Sequence, residues 1–132
     1  MADPLFRFAC SPRNLDGAPE GWVESMVQEG ELALLVDDGG LNAISAVAHA
    51  LDVVSMRLLR PEESAAAQER TVMRYAGSMA LVWVASSFSE PVAQWAHDRG
   101  PMTLLVEAAD ALPADERKRV ERFVVILGRQ AE

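Results

Sequence analysis

The run Ser78-Met79-Ala80-Leu81-Val82-Trp83-Val84-Ala85 constrains this chain more than any other stretch: it is short, apolar at nearly every position and rich in Val with a Trp. A segment of that kind is at home where both of its faces are covered, as in a strand sandwiched between helices. The next segments agree. Ser89 stands as a helix N-cap, Val92, Trp95 and Ala96 supply an apolar face, and Gly100-Pro101 stops the helix. Met102-Thr103-Leu104-Leu105-Val106 reads as the next strand. Asp110 or Pro113 opens a last helix over 114–122, with an Asp-Glu start and an Arg-Lys-Arg middle that suit the helix dipole. The run 123–127 before Gly128 is either a final strand or the buried end of that helix. Alternating strands and helices predict an α/β domain, and 132 residues of half-apolar composition make one domain, 1–132.

The N-terminal half carries weaker signals. Phe6, Phe8 and Cys10 alternate with polar or small neighbours like an edge strand, and 11–17 is a turn-rich loop holding Pro12 and Asn14. Trp22, Val23, Met26 and Val27 give one apolar face, so 19–29 is predicted helical with Gly30 as its C-cap. Residues 31–36 form a strand that ends at Asp37-Asp38-Gly39-Gly40-Leu41-Asn42. Between 41 and 60 two patterns compete: Ile44, Val47 and Leu51 keep helical spacing among alanines, whereas Val53-Val54-Ser55-Met56-Arg57-Leu58 favours a strand. Pro61-Glu62-Glu63 then opens what reads as the longest helix, with Ala65, Val72, Met73 and Ala76 inward. No internal repeat is present.

Charge and cysteine usage narrow the functional classes. A net charge of −8 and a pI near 4.7 repel phosphate backbones, so unaided nucleic-acid binding is disfavoured. Cys10 is the only cysteine, which excludes an internal disulfide and any zinc site built on cysteine pairs, and fits a reducing, cytoplasmic setting. Charged or turn residues interrupt every apolar run, so neither a signal core nor a membrane span is expected.

The acidic glycine turn is where the chain looks built for chemistry: two glycines permit close backbone approach, and two carboxylates can hold a hard cation. In order and spacing, the predicted elements around it resemble the Mrr-like branch of the restriction-endonuclease-like nucleases over residues 20–112. Val23-Glu24 is similar to that family's helix motif, and Asp37-Asp38-Gly39-Gly40-Leu41 to its Gly-Asp-Gly-Gly turn, with Asn42 where the family has the catalytic Asp. Ser55-Met56-Arg57 stands where it has Gln, one residue and Lys, and Val84-Ala85-Ser86-Ser87-Phe88-Ser89 loosely follows its Val-Thr-Thr-x-x-Phe-Thr segment. The resemblance implies a central mixed sheet flanked by helices and a vestigial site at Glu24, Asp38, Asn42, Ser55 and Arg57. Gly39 and Gly40 would line it, and Asp37 and Asp38 would be the metal ligands for Mg²⁺ if chemistry survives.

The departures from the family have consequences. A neutral Asn42 lacks the charge that binds a divalent cation, and Arg57 differs from a lysine in reach and in proton chemistry. The only lysine is Lys118, on the last helix. Asp37, Asp38, Asp52 or Glu24 would have to take over the ligand role.

Plainer readings stand beside this one. The glycine turn is more often simply a strand-ending turn, with Asp38 or Asn42 capping a helix. Gly39-Gly40-Leu41-Asn42 is also similar to the phosphate loop of PP-loop ATP pyrophosphatases, without that loop's Ser and Asp. His49 and His97 are far apart, the three tryptophans sit at core positions, and Arg117-Lys118-Arg119 is interleaved with acids as on a solvated face. Three functions are compatible with these residues: a non-catalytic nuclease-like module that binds a protein partner or assembles as a homo-oligomer, in nucleic-acid processing or defence; an active Mg²⁺-dependent DNA nuclease; or a small nucleotide- or anion-binding α/β protein. The segment 41–51 discriminates between folds. A hairpin of 41–47 with 52–58 gives the nuclease-like topology, and a helix gives a doubly wound parallel sheet.

Overall fold

The structure is a computed structural model and describes residues 4–28, 30–36, 40–51, 56–59 and 61–131. Strands and helices alternate along the chain: β1 (Phe6–Cys10), α1 (Trp22–Val27), β2 (Gly30–Leu35), α2 (Gly40–Leu51), β3 (Arg57–Leu59), α3 (Ala65–Ala76), β4 (Ala80–Ala85), α4 (Glu90–Arg99), β5 (Thr103–Glu107) and α5 (Ala114–Ala131). The five strands form one sheet in the order β3-β2-β1-β4-β5, and every pairing is parallel. The expected mixed sheet is therefore corrected to a parallel one. The physical reason lies at 41–51: this segment is helical, burying Ile44 against the sheet, so β2 reaches β3 by a helical crossover and not by a hairpin.

Helices cover both faces. One face packs Phe6, Phe8, Leu32, Leu34, Val82 and Val106 under α1, α2 and α5, through Trp22, Ile44, Val120 and Leu127. The other packs Ala9, Ala33, Leu59, Leu81 and Trp83 under α3 and α4, through Val72, Ala76 and Val92. β4 is buried at five of its six positions, as its continuous apolar run predicts. Burial of this kind supplies roughly 1.5–3 kcal/mol for each large apolar side chain removed from water. Trp83 meets Phe88 and Trp95 edge to face, with centroids 5.2 and 6.3 Å apart. Among the described residues, no helix is long and apolar enough to cross a membrane.

Several local expectations are revised. β1 is the central strand rather than an edge. Its one charged residue, Arg7, sends its guanidinium over the Tyr75 ring, 4.8 Å from the centroid, to donate to the Tyr75 carbonyl in the last turn of α3. A cation there complements the negative end of the helix and lets a charge sit inside a buried strand. Gly30 is the first residue of β2, not a helix cap: a Cβ there would lie 2.6 Å from Cε1 of the buried Phe6 ring, so only glycine lets β2 close on β1. α1 is accordingly shorter than 19–29. The longest helix is α5, which absorbs 123–127, while α3 starts after Ser64, whose Oγ accepts from the Ala67 amide at 3.1 Å.

Candidate functional site

A parallel sheet in this order has one place where the chain changes direction. β1 leads leftward to β2 and β3, and β4 leads rightward to β5, so the loops after β1 and β4 diverge from adjacent strand ends. In open α/β sheets, ligands lodge in the crevice between such loops. Here the first loop is Ser11 followed by a 3-10 turn, Pro12–Leu15, and the second is Ser86, Ser87, Phe88 and Ser89 leading into α4.

Both sides of this crevice are occupied by the chain's own polar groups. Asn14 is 3% exposed, and its Oδ1 accepts from the Ser11 amide at 2.9 Å. Its Nδ2 donates to the carbonyls of Ala108 at 3.2 Å and Asp110 at 2.8 Å, while its own carbonyl accepts from the Leu112 amide at 3.1 Å. Both amide donors and the acceptor are engaged, and the loop after β1 is thereby tied across the end of β4 to the loop after β5. On the other side, Glu69 of α3 grips the start of α4: the Ser89 amide donates to Oε2 at 3.0 Å and the Ser89 hydroxyl to Oε1 at 2.7 Å. A carboxylate at a helix N-terminus takes the position an anionic ligand would seek. Cys10, at the end of β1, is fully buried, and desolvation pushes its thiol pKa well up, which suppresses the nucleophilic thiolate.

Of the residues singled out in the sequence, the described ones, Glu24, Asn42 and Arg57, do not converge. Asp37, Asp38, Gly39 and Ser55 lie outside the described residues, as does Asp52. Gly40 opens α2 in the left-handed conformation at φ +63°, with open space where a Cβ would stand. Asn42 is exposed on α2 and Glu24 is exposed on α1, both on the helices that cover one face. Arg57 pairs with Ala33 in the β2–β3 ladder and shares its direction, so it points to the opposite face. The sheet separates Arg57 from Glu24 and Asn42. Among the described residues, no group of three or more His, Cys, Asp or Glu is placed to hold a metal ion.

A second polar cluster has no signature in the sequence. Arg7, Glu31 and Tyr75 meet at the α3 side of the sheet: the Tyr75 hydroxyl donates to Glu31 Oε1 at 2.5 Å, and Arg7 Nε lies 3.7 Å from the same oxygen. Burial first, and then the hydrogen bond to Glu31 and its charge, raise the Tyr75 pKa. Arg7 donates through Nη1 to α3 and Glu31 accepts from Tyr75 through Oε1, so the cluster ties β1, β2 and α3 together. Comparison with family models, with curated proteins and with solved structures finds no match.

Proposed function

We propose that this chain is a non-catalytic protein-binding or assembly module. The observation that carries the reading lies at the divergence of β1 and β4, where Asn14 and the Ser89 groups held by Glu69 are engaged inside the protein. With those groups engaged internally, the outer surfaces are the main means of interaction left to the fold. Descent from the nuclease-like family is not needed for this reading, and α2 stands where that family's hairpin would pair. The alternative of an Mg²⁺-dependent nuclease draws no support from Glu24, Asn42 and Arg57, which lie on opposite sides of the sheet.

One observation favours a second reading. The left-handed, unobstructed Gly40 at the start of the twelve-residue α2 suits an anion held by backbone amides. The experiment that separates the readings has two arms. In the first, plasmid DNA is incubated with the chain in MgCl₂ and then MnCl₂, with no cleavage expected; cleavage lost in Asp38→Ala overturns the module reading. In the second, melting is followed with Mg-ATP or inorganic phosphate, with no shift expected. A rise of several degrees that Gly40→Val abolishes favours the anion-binding reading.

A further inference from the structure

The charge of this acidic chain is unevenly distributed, and the unevenness falls on one face. Residues 14–28, which lead into and form α1, carry Asp16, Glu20 and Glu24 and no lysine or arginine, and α2 carries no carboxylate, lysine or arginine. α5, on the same face of the sheet, carries five basic residues against three acidic ones. Across that face the helices lie in the order α2, α1, α5. α2 joins β2 to β3, and α1 joins β1 to β2 with Trp22 edge-on to Phe8 of β1. α5 packs Val120 and Leu127 into the same layer as Val82 and Val106, beyond α1. One side of the face is thus acidic, with Asp16, Glu20 and Glu24 exposed. The other is basic, with Lys118, Arg119, Arg122 and Arg129 exposed.

The apolar surface lies on the same face. α5 is apolar from Phe123 to Leu127, but only Leu127 is buried: Val125 and Ile126 are each 52% exposed, side by side between Arg122 and Arg129. A helix segment apolar all round is ordinarily covered all round. Leu41 of α2 is exposed too, and among the described residues neither α3 nor α4, on the other face, has an exposed large apolar side chain.

We propose that this face is a homodimer interface, in which α5 of each copy lies over α1 and α2 of the other. The partner is a second copy because the face is complementary to itself. A two-fold axis running along the strands between α1 and α5 exchanges the acidic side for the basic one, so both halves of an isologous contact pair opposite charges around an apolar centre. Packing α5 on α5 would set Arg122 and Arg129 against their own copies, which the charges oppose. An anionic membrane is a poorer occupant, since Asp16, Glu20 and Glu24 would approach it beside the basic helix and two apolar side chains are little to insert.

This inference rests on the module reading, and its test is independent of that reading's test. Sedimentation equilibrium of the full chain at micromolar to tens of micromolar concentration gives a species of twice 14.4 kDa that dissociates as salt is raised. Arg122→Glu/Arg129→Glu and, separately, Glu20→Arg/Glu24→Arg each weaken the dimer at least tenfold without changing the circular dichroism spectrum. Mixing the two variants in equal amounts restores a dimer, which no loss of fold can mimic. A wild-type monomer throughout, a dimer that survives both reversals, or a mixture that stays monomeric overturns the proposal. So does a monomeric chain that cosediments with phosphatidylglycerol vesicles. Each of these results leaves the module reading standing, since none of them bears on metal-dependent cleavage or on ligand binding between the loops after β1 and β4.

Discussion

Replacing Asn14 by alanine tests the closure of the crevice quantitatively. The side chain makes three hydrogen bonds inside the protein, one accepted from Ser11 and two donated to Ala108 and Asp110, and it is almost fully buried. A buried hydrogen bond contributes about 1 kcal/mol net, and a partner stranded without water costs about 1–3 kcal/mol. Water entering the space left by the amide re-satisfies part of the set, so Asn14→Ala is expected to lose about 3 kcal/mol. For 132 residues at ~2.1 cal/mol/K per residue, the unfolding entropy is ~0.28 kcal/mol/K, and the melting temperature falls by about 10 °C. Urea titration measures this directly: the midpoint drops with the slope unchanged, because the same surface is exposed on unfolding. Asn14→Asp separates geometry from volume. It keeps an acceptor for Ser11, loses both donors and sets a carboxylate against two carbonyls, so it is expected to be at least as destabilising as alanine. A loss below about 1 kcal/mol in Asn14→Ala, or an Asn14→Asp chain as stable as wild type, refutes the idea that this amide ties the loops together.

Glu69→Ala removes the carboxylate that accepts from the Ser89 amide and hydroxyl, and is expected to cost about 1–2 kcal/mol, with hydrogen exchange rising first at the start of α4; unchanged exchange there contradicts the role. Gly30→Ala drives a methyl into the Phe6 ring and is expected to destabilise by about 1–3 kcal/mol in chemical denaturation, so a neutral substitution would show that β1 and β2 are not so closely apposed. Tyr75 supplies a pH prediction. Its pKa is raised in the folded chain by burial and then by Glu31, so the folded state holds the proton more tightly than the unfolded one. That contribution is complete below about pH 10 and is lost as pH rises and the unfolded phenol ionises. Between about pH 10 and 11 the wild type should therefore lose more stability than Tyr75→Phe, and parallel losses would refute it.

The elements legible in the sequence are those whose signals are local. β4 declares itself through an uninterrupted apolar run, and Ser89 through its position before Val92, whose amide its hydroxyl caps at 3.4 Å. β1 reads as an edge because Arg7 breaks its apolar run. The charge is tolerated only because the end of α3, 68 residues away in sequence, supplies carbonyls for it. A mixed sheet is the expectation because the family resemblance calls for a hairpin over 41–58, where two local patterns compete and propensity cannot decide whether Ile44 meets a sheet or a hairpin partner. α2 resolves the competition by burying Ile44 while leaving Asn42 and Ser45 to solvent. The candidate site is the least legible part. Asn14's bonds to Ala108 and Asp110 span 94 and 96 positions and Glu69's to Ser89 spans 20, so only Asn14's bond to Ser11 has a short-range signature. The glycine turn, which does have one, contributes only Gly40, Leu41 and Asn42 to the described residues.

Whether the chain itself fills the crevice between the loops after β1 and β4 can be read by nuclear magnetic resonance. Amide and side-chain spectra are recorded while Mg-ATP, and separately inorganic phosphate, is titrated into the full chain. A closed crevice gives two well-resolved, exchange-protected Asn14 Nδ2 protons whose shifts, like those of the Ser86, Ser87 and Ser89 amides, do not move. Saturable shifts at those positions, or an Asn14 amide that exchanges as fast as an exposed one, would mean that the crevice is open and that the module reading has lost its footing.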